Sequence, residues 1–286
     1  MPTTYQPIVL YGSGLFGRDN PKLNQTQLLA VTQSGFTDLI LWTLHVDSDG
    51  TLVYNNTVIV RDGVFAFTFS YLRELVRAVK QNSTVQRVLF SIGSWGVPDF
   101  TNIGTLLSTP SGKLALGRNF AALATALEID GYDFDNEDQF ETTQPVVDLT
   151  TMLAGGDNSM IVTYCPFGDK QFWTKCLQDV WAVNQQNGVA QSVRWWNLQC
   201  YAGGGGNLPQ QWVQAVQAAD AGVTSAAFIV PGLDTSNGTS GVQTTFSGWA
   251  TSDPGITGGF IWNSGAIFAS GSSPAAYASA ITAGLG

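Results

Sequence analysis

Positive charge is scarce in this chain. Its 286 residues hold 12 Lys and Arg against 21 Asp and Glu, a formal net charge of −9. Nucleic-acid binding rests on clustered Lys and Arg that neutralise phosphates, so no nucleic-acid partner is expected and a neutral polymer such as a glycan fits the charge better. No apolar run approaches the roughly 20 residues that span a bilayer, and no membrane partner is expected. Histidine occurs once, as His45, and a lone His with no partner motif reads as structural. Cysteine occurs three times, as Cys165, Cys176 and Cys200, at spacings that match no zinc motif. An odd number leaves at least one thiol unpaired within the chain; all three read as structural residues of apolar elements, and pairing of two of them stays open. Neither a metal nor a cofactor is implied. The start, Met1-Pro2-Thr3-Thr4-Tyr5, lacks the basic segment and apolar core of a secretory signal. The expectation is a secreted protein in mature form that has been given a start Met, with a cytoplasmic protein as the alternative.

What is present is a lightly charged, globular composition, 44% hydrophobic and 12% charged. The length suits one large domain over residues 1–286 with a substantial core, and a monomer is expected. Acid concentrates in Asp130-Gly131-Tyr132-Asp133-Phe134-Asp135-Asn136-Glu137. As a β-strand, this stretch sends Asp133, Asp135 and Glu137 to one face, roughly 6.6 Å apart, and Tyr132, Phe134 and Asn136 to the other. Ionised carboxylates inside a strand cost several kcal/mol each unless paired or neutralised, so a row of three points to a functional site. A solvated turn fits poorly, because Tyr132 and Phe134 interleave with the acids and Ala126, Leu127 and Ile129 lead into them. An EF-hand loop counted from Asp133 would need Gly and Glu where Asp138 and Gln144 stand.

The rest of the chain alternates strand and helix patterns. Strands are predicted at Ile8–Tyr11, Thr37–Val46, Val85–Ile92, the acidic stretch, Met160–Cys165, Val193–Tyr201, Ala226–Val230 and Gly259–Trp262. Helices are predicted at Asn24–Ser34, Phe69–Lys80, Gly112–Glu128, Val146–Leu153, Phe172–Asn184, from Pro209, at Thr244–Ala250 and at Ala275–Ile281, with Gly155-Gly156 ending the fourth in a left-handed turn. A small hairpin around Asn55-Asn56 is inserted after the second strand. Eight alternations without a linker predict an α/β protein whose parallel strands close into a barrel. In such a barrel active sites lie at the C-terminal ends of the strands. Trp42 is then placed to face the cleft, and Trp95 suits either a sugar platform or the packing of a loop.

The pattern Asp130-Gly131-x-Asp133-x-Asp135-x-Glu137 resembles the signature of glycoside hydrolase family 18, the chitinases and endo-β-N-acetylglucosaminidases. Val88 to Ser94 is similar to that family's Ser-x-Gly-Gly strand, with Ser91 as its Ser and Ser94 in place of the second Gly. Asn197-Leu198-Gln199-Cys200-Tyr201 resembles its sixth strand and Gly258-Gly259-Phe260-Ile261-Trp262 its eighth. The resemblance spans nearly the whole chain and implies a (β/α)8 TIM barrel. The family's deep-groove members carry an α+β insertion after strand seven; here Pro231-Gly232-Leu233-Asp234 and the Thr244 helix follow too soon to admit it.

For function, the resemblance implies retaining hydrolysis of β-1,4 bonds beside N-acetylglucosamine with endo action, in chitin or its oligomers, by substrate assistance. That mechanism is an exception to the two-carboxylate scheme. By motif position Glu137 is the general acid and base, Asp135 holds the acetamido N–H, Asp133 shares a proton with Asp135, and Tyr201 donates to the acetamido carbonyl. Trp262 forms the floor under the reacting sugar. Tyr11, Trp42, Ser91, Trp95, Phe167 and Gln199 complete the expected sugar-binding set, although Tyr11 serves equally as an aromatic closing the barrel floor. The chain departs from the family at Asn136, where many members have Trp or Ile and which strand parity points outward, and at Ala202, where they often have Asn or Asp. An enzyme acting on N-glycans and a non-catalytic, lectin-like chitin binder remain as alternatives.

Overall fold

The computed structural model describes residues 6–137, 142–155 and 160–286. Residues 1–5, Asp138 and Gly156 lie outside that set. In chain order the strands are β1 (Ile8–Tyr11), β2 (Asp38–Val46), β3 (Leu52–Tyr54), β4 (Thr57–Arg61), β5 (Val64–Phe65), β6 (Arg87–Gly93), β7 (Gly131–Asp135), β8 (Ile161–Tyr164), β9 (Val193–Gln199), β10 (Ile229–Asp234) and β11 (Gly259–Trp262). The helices are α1 (Pro21–Thr32), α2 (Ser70–Val79), α3 (Asp99–Leu107), α4 (Pro110–Leu127), α5 (Gln144–Ala154), α6 (Lys170–Gln186), α7 (Pro209–Ala218), α8 (Gly238–Ser252), α9 (Ser264–Ala269) and α10 (Pro274–Leu285).

Strands β1, β2 and β6 to β11 pair in parallel, and β1 bonds both β11 and β2, so the sheet closes into an eight-stranded (β/α)8 barrel. Strands β3 to β5 form an antiparallel wing on the end of β2, pairing with Leu44–Val46. Helix starts follow local chemistry. Asn20, Thr109 and Ser273 accept a backbone N–H from the first turn of α1, α4 and α10, each of which begins with Pro.

Strand alternation divides the core into two layers. Outward residues such as Val88, Phe90, Ile92, Tyr132, Phe134 and Trp196 pack under the helices. Inward residues fill the lumen, with Val9, Ile40, Leu89, Trp195, Val230 and Phe260 among its apolar part. Gly232 faces this lumen, and the Phe260 ring fills the space that a Cβ at position 232 would need.

That contact explains one departure from the predicted elements. The sequence reading runs this strand from Ala226 to Val230, yet Pro231 and Gly232 lie inside β10, while Ala226–Phe228 is a 3-10 turn. A single turn, Thr235–Asn237, joins β10 to α8, with no insertion between them. A second correction concerns Gly155: it ends α5 with φ −89° and ψ 162°, an extended residue, not a left-handed one. Helices α3 and α9 are additions to the predicted set. His45 also gains a partner: its Nδ1 lies 2.8 Å from Asp99 Oδ2 at the start of α3, and Asp99 Oδ1 accepts the Val46 N–H at 2.8 Å.

Candidate active site

The acids of β7 enter the barrel as strand parity requires. Asp133 pairs in register with Ser91 on β6 and Thr163 on β8, and Asp135 with Gly93. Gly93 has φ +96°, and a Cβ there would stand 2.5 Å from the Asp135 carbonyl oxygen, so a larger residue would push β7 away at its C-terminal end.

Asp133 is fully buried and satisfied. Its Oδ2 accepts from the Tyr11 hydroxyl at 2.8 Å, and its Oδ1 accepts from Thr163 Oγ1 at 2.6 Å and Asn197 Nδ2 at 2.9 Å. Burial pushes its carboxyl above the ordinary value, and the three donors pull against that shift. Asp135 sits one layer higher, its Oδ2 bonded to Trp42 Nε1 at 3.0 Å and its Oδ1 to Gln199 Nε2 at 3.1 Å. Burial, then the charges of Glu137 and Asp133, hold Asp135 well above the usual carboxylate range. Gln199 Nε2 also reaches Glu137 Oε1 at 3.1 Å and the Cys165 carbonyl at 3.3 Å, so one amide ties the two upper acids to the end of β8. Two amide hydrogens serve these three acceptors.

Aromatic side chains wall the upper site. The Trp262 ring lies edge-on to Trp42 at 4.9 Å and parallel to Tyr201, with 9° between planes. The peptide bonds Trp42–Thr43 and Trp262–Asn263 are both cis. Burial lifts the Tyr201 phenol well above its ordinary value, which keeps it a proton-bearing donor. A cavity of about 190 Å³ opens here, bounded below by Asp135, Glu137 and Gln199 and at the sides by Trp42, Tyr201 and Trp262.

The structure brings most of the sequence-predicted residues together. Tyr11 and Trp95 also border the cavity, while Asp133 and Ser91 lie beneath it. Phe167 is not among the residues lining the cavity and packs edge-on against Trp95 at 6.1 Å, with Trp95 71% exposed at the rim. Tyr11 packs in the lumen, as an aromatic closing the barrel would, and its hydroxyl also bonds Asp133. Ser91 does not bond Asp133, and its buried Oγ has no hydrogen-bond partner among the described residues. Thr163 and Asn197, with Tyr11, hold Asp133. The sequence signal for both was parity on β8 and β9 opposite Asp133, which takes effect only once strand register is known.

Asn136 lies past the end of β7, buried, with its Oδ1 unbonded among the described residues. The three cysteines are buried and free. No group of three or more His, Cys, Asp or Glu placed to hold a metal ion occurs among the described residues, and no helix there is long and apolar enough to cross a membrane. Two larger cavities, about 450 Å³ each, lie between α4 and α5 and at the N-terminal pole of the barrel. Neither contains a carboxylate, so the chemistry points to the smaller one.

No family model and no curated protein sequence matches the chain. Solved structures do. A fungal endo-β-N-acetylglucosaminidase from glycosyl hydrolase family 18 shares 18% identity and a TM-score of 0.67, over 99% of this chain and 98% of that one. A chitinase from Aspergillus fumigatus shares 18% identity and a TM-score of 0.64 over 91% and 92%. A chitinase-like agglutinin from Robinia pseudoacacia shares 12% identity and a TM-score of 0.63 over 98% and 99%. At such identities the likeness is one of fold.

Proposed function

We propose that this chain is a retaining, endo-acting glycoside hydrolase that cleaves β-1,4 bonds beside N-acetylglucosamine in chitin or its oligomers, with the substrate's own acetamido oxygen as nucleophile. The observation that carries this reading is the acid series Asp133, Asp135 and Glu137, rising through the lumen into a cavity walled by Trp42, Tyr201 and Trp262. Glu137, at the cavity, gives its proton to the glycosidic oxygen as that bond breaks. The acetamido carbonyl oxygen attacks the anomeric carbon and forms a cyclic oxazolinium ion. Asp135 accepts the acetamido N–H and stabilises the charge that develops there, and the Tyr201 hydroxyl orients the carbonyl. Water then opens the ring, giving its proton to the Glu137 carboxylate, and the new reducing end keeps the β configuration. The direct turn from β10 into α8 leaves the groove without an α+β wall, which suits attack within chains.

A second reading, cleavage within the core of N-glycans, is favoured by the likeness over 99% of the chain to the fungal endo-β-N-acetylglucosaminidase. Profiles on chitin oligomers and on a high-mannose glycoprotein separate the two, and no turnover of either would leave a lectin-like binder. Proton NMR of the fresh reducing end tests the mechanism common to both enzymes. β-Anomer should appear first and fully deacetylated chitosan should stay uncut; α-anomer first, or comparable cleavage of chitosan, would overturn substrate assistance.

A further inference from the structure

The lumen side of β9 carries a vertical series, Trp195, Asn197, Gln199 and, just past the strand, Tyr201, of which only the upper two touch the cavity. Trp195 stands at the foot of the lumen, 4% exposed, with the Arg87 guanidinium 4.8 Å from its ring centroid. Arg87 Nε in turn bonds Asp38 Oδ1 at 2.8 Å. The Trp195 Nε1–H donates to Asn197 Oδ1 at 2.9 Å, and Asn197 Nδ2 donates to Asp133 Oδ1 at 2.9 Å.

An indole N–H can only donate. It therefore settles which way the Asn197 amide faces, with oxygen toward Trp195 and NH₂ toward Asp133. The reversed amide would oppose N–H to N–H below and oxygen to carboxylate above. The other two partners of Asp133, Tyr11 and Thr163, are hydroxyls that can rotate to accept as well as donate, so they tolerate either protonation state. Asn197 alone cannot adapt while Trp195 holds it, and an obligate donor favours the charged form of its acceptor. The upper acids are arranged differently, since Asp135 and Glu137 share one amide and repel each other. Among the described residues, the titratable groups facing Asp133 are Tyr11 from β1, Asp135 from its own strand, Cys165 after β8 and Tyr201 after β9.

We infer that Trp195 is a positioning residue of this site: through the fixed amide of Asn197 it holds Asp133 as the charged member of the acid set and keeps the shared proton on Asp135 and Glu137. The kinetic consequence rests on the hydrolase reading above, because that reaction draws its proton from Glu137; the protonation pattern itself does not depend on it. Trp195→Phe keeps an aromatic ring beneath Arg87 and removes the indole N–H together with the five-membered ring that carries it, which frees the Asn197 amide to turn.

The test is the side-chain carboxyl ¹³C resonance of Asp133 in protein labelled at aspartate, assigned by its loss in Asp133→Asn and followed from about pH 8 down to about pH 6. In the wild type it should stay at the carboxylate position throughout. In Trp195→Phe it should move to the protonated position within that range. Asn197→Leu, of similar volume, should do the same and covers the case in which the first variant fails to fold. With an N-acetylated substrate, kcat should fall about tenfold with KM within about twofold, and the alkaline limb of kcat/KM should move up by about one pH unit. Titration of Asp133 in the wild type within the range, or an unmoved resonance and pH profile in both variants, overturns the inference. If no substrate is cut at all, the hydrolase reading fails while the resonance still decides the role of Trp195.

Discussion

Between the barrel and its helices, Phe90, Tyr132, Phe134 and Tyr164 meet side chains of their own kind, with Phe134 stacked on Tyr164 at 5.5 Å. Across the same strands, one residue away, Ser91, Asp133, Thr163 and Asn197 form a polar layer in the lumen. Both layers are buried, yet different forces hold them. The outer one depends on shape and on apolar area removed from water, at about 25 cal/mol per Å². In the inner one Asp133, Thr163 and Asn197 are held by the hydrogen bonds between them, because an unpaired buried polar group costs about 1–3 kcal/mol. A pair of neighbouring residues therefore belongs to two regimes, and substitution can separate stability from chemistry.

The largest expected effect sits at the mouth of the inner layer. Glu137→Gln keeps the volume and removes the proton donor, so turnover should fall by ~10²–10⁴-fold with the melting temperature and oligosaccharide binding unchanged. Near wild-type turnover would remove Glu137 from the acid role. Phe134→Ala, two strand positions after Tyr132 on the outer face, should show the reverse: a loss of about 3–5 kcal/mol in denaturant unfolding, as a cavity opens against Phe100 and Tyr164. A loss below about 1 kcal/mol would mean that the outer layer repacks, and would blur the contrast.

A smaller effect should appear in the pH dependence of stability. The Asp135 carboxyl is raised in the folded protein, so between the unfolded value of about 3.9 and the folded value the native state holds more protons than the unfolded chain, and stability falls as pH rises. Asp135→Asn removes that penalty. Its melting temperature should exceed the wild type's near neutrality, and the two should converge on acidification; a constant offset at all pH values would mean that titration is not the cause.

The smallest concerns His45, half-exposed beside Asp99 at the edge of the β3–β5 wing. Its pKa is raised, chiefly by the hydrogen bond to Asp99. The pair should contribute its full stability below the unfolded value of about 6.5 and lose it as pH rises through the folded value. His45→Gln should lower the melting temperature by a few degrees at most on the acid side and not on the alkaline side. Equal loss on both sides would assign the effect to packing.

Read from one strand to the next, the chain determines much of this arrangement by itself. Parity alone sends Asp133 and Asp135 inward and Tyr132 and Phe134 outward, and the alternation of strand and helix patterns suffices for a closed parallel barrel, because both are local periodicities of the backbone. Tertiary structure decided everything that depends on register between strands. It placed Thr163 and Asn197 on Asp133; it gave Gln199 to both upper acids; it gave Asp99 to His45; and it drew Pro231 and Gly232 into β10, where the missing Cβ makes room for Phe260. Each of these joins residues tens of positions apart in the chain. The physical reason is that a hydrogen bond or a contact is satisfied in space, and the spacing of residues along a sequence carries no record of which strand will stand opposite.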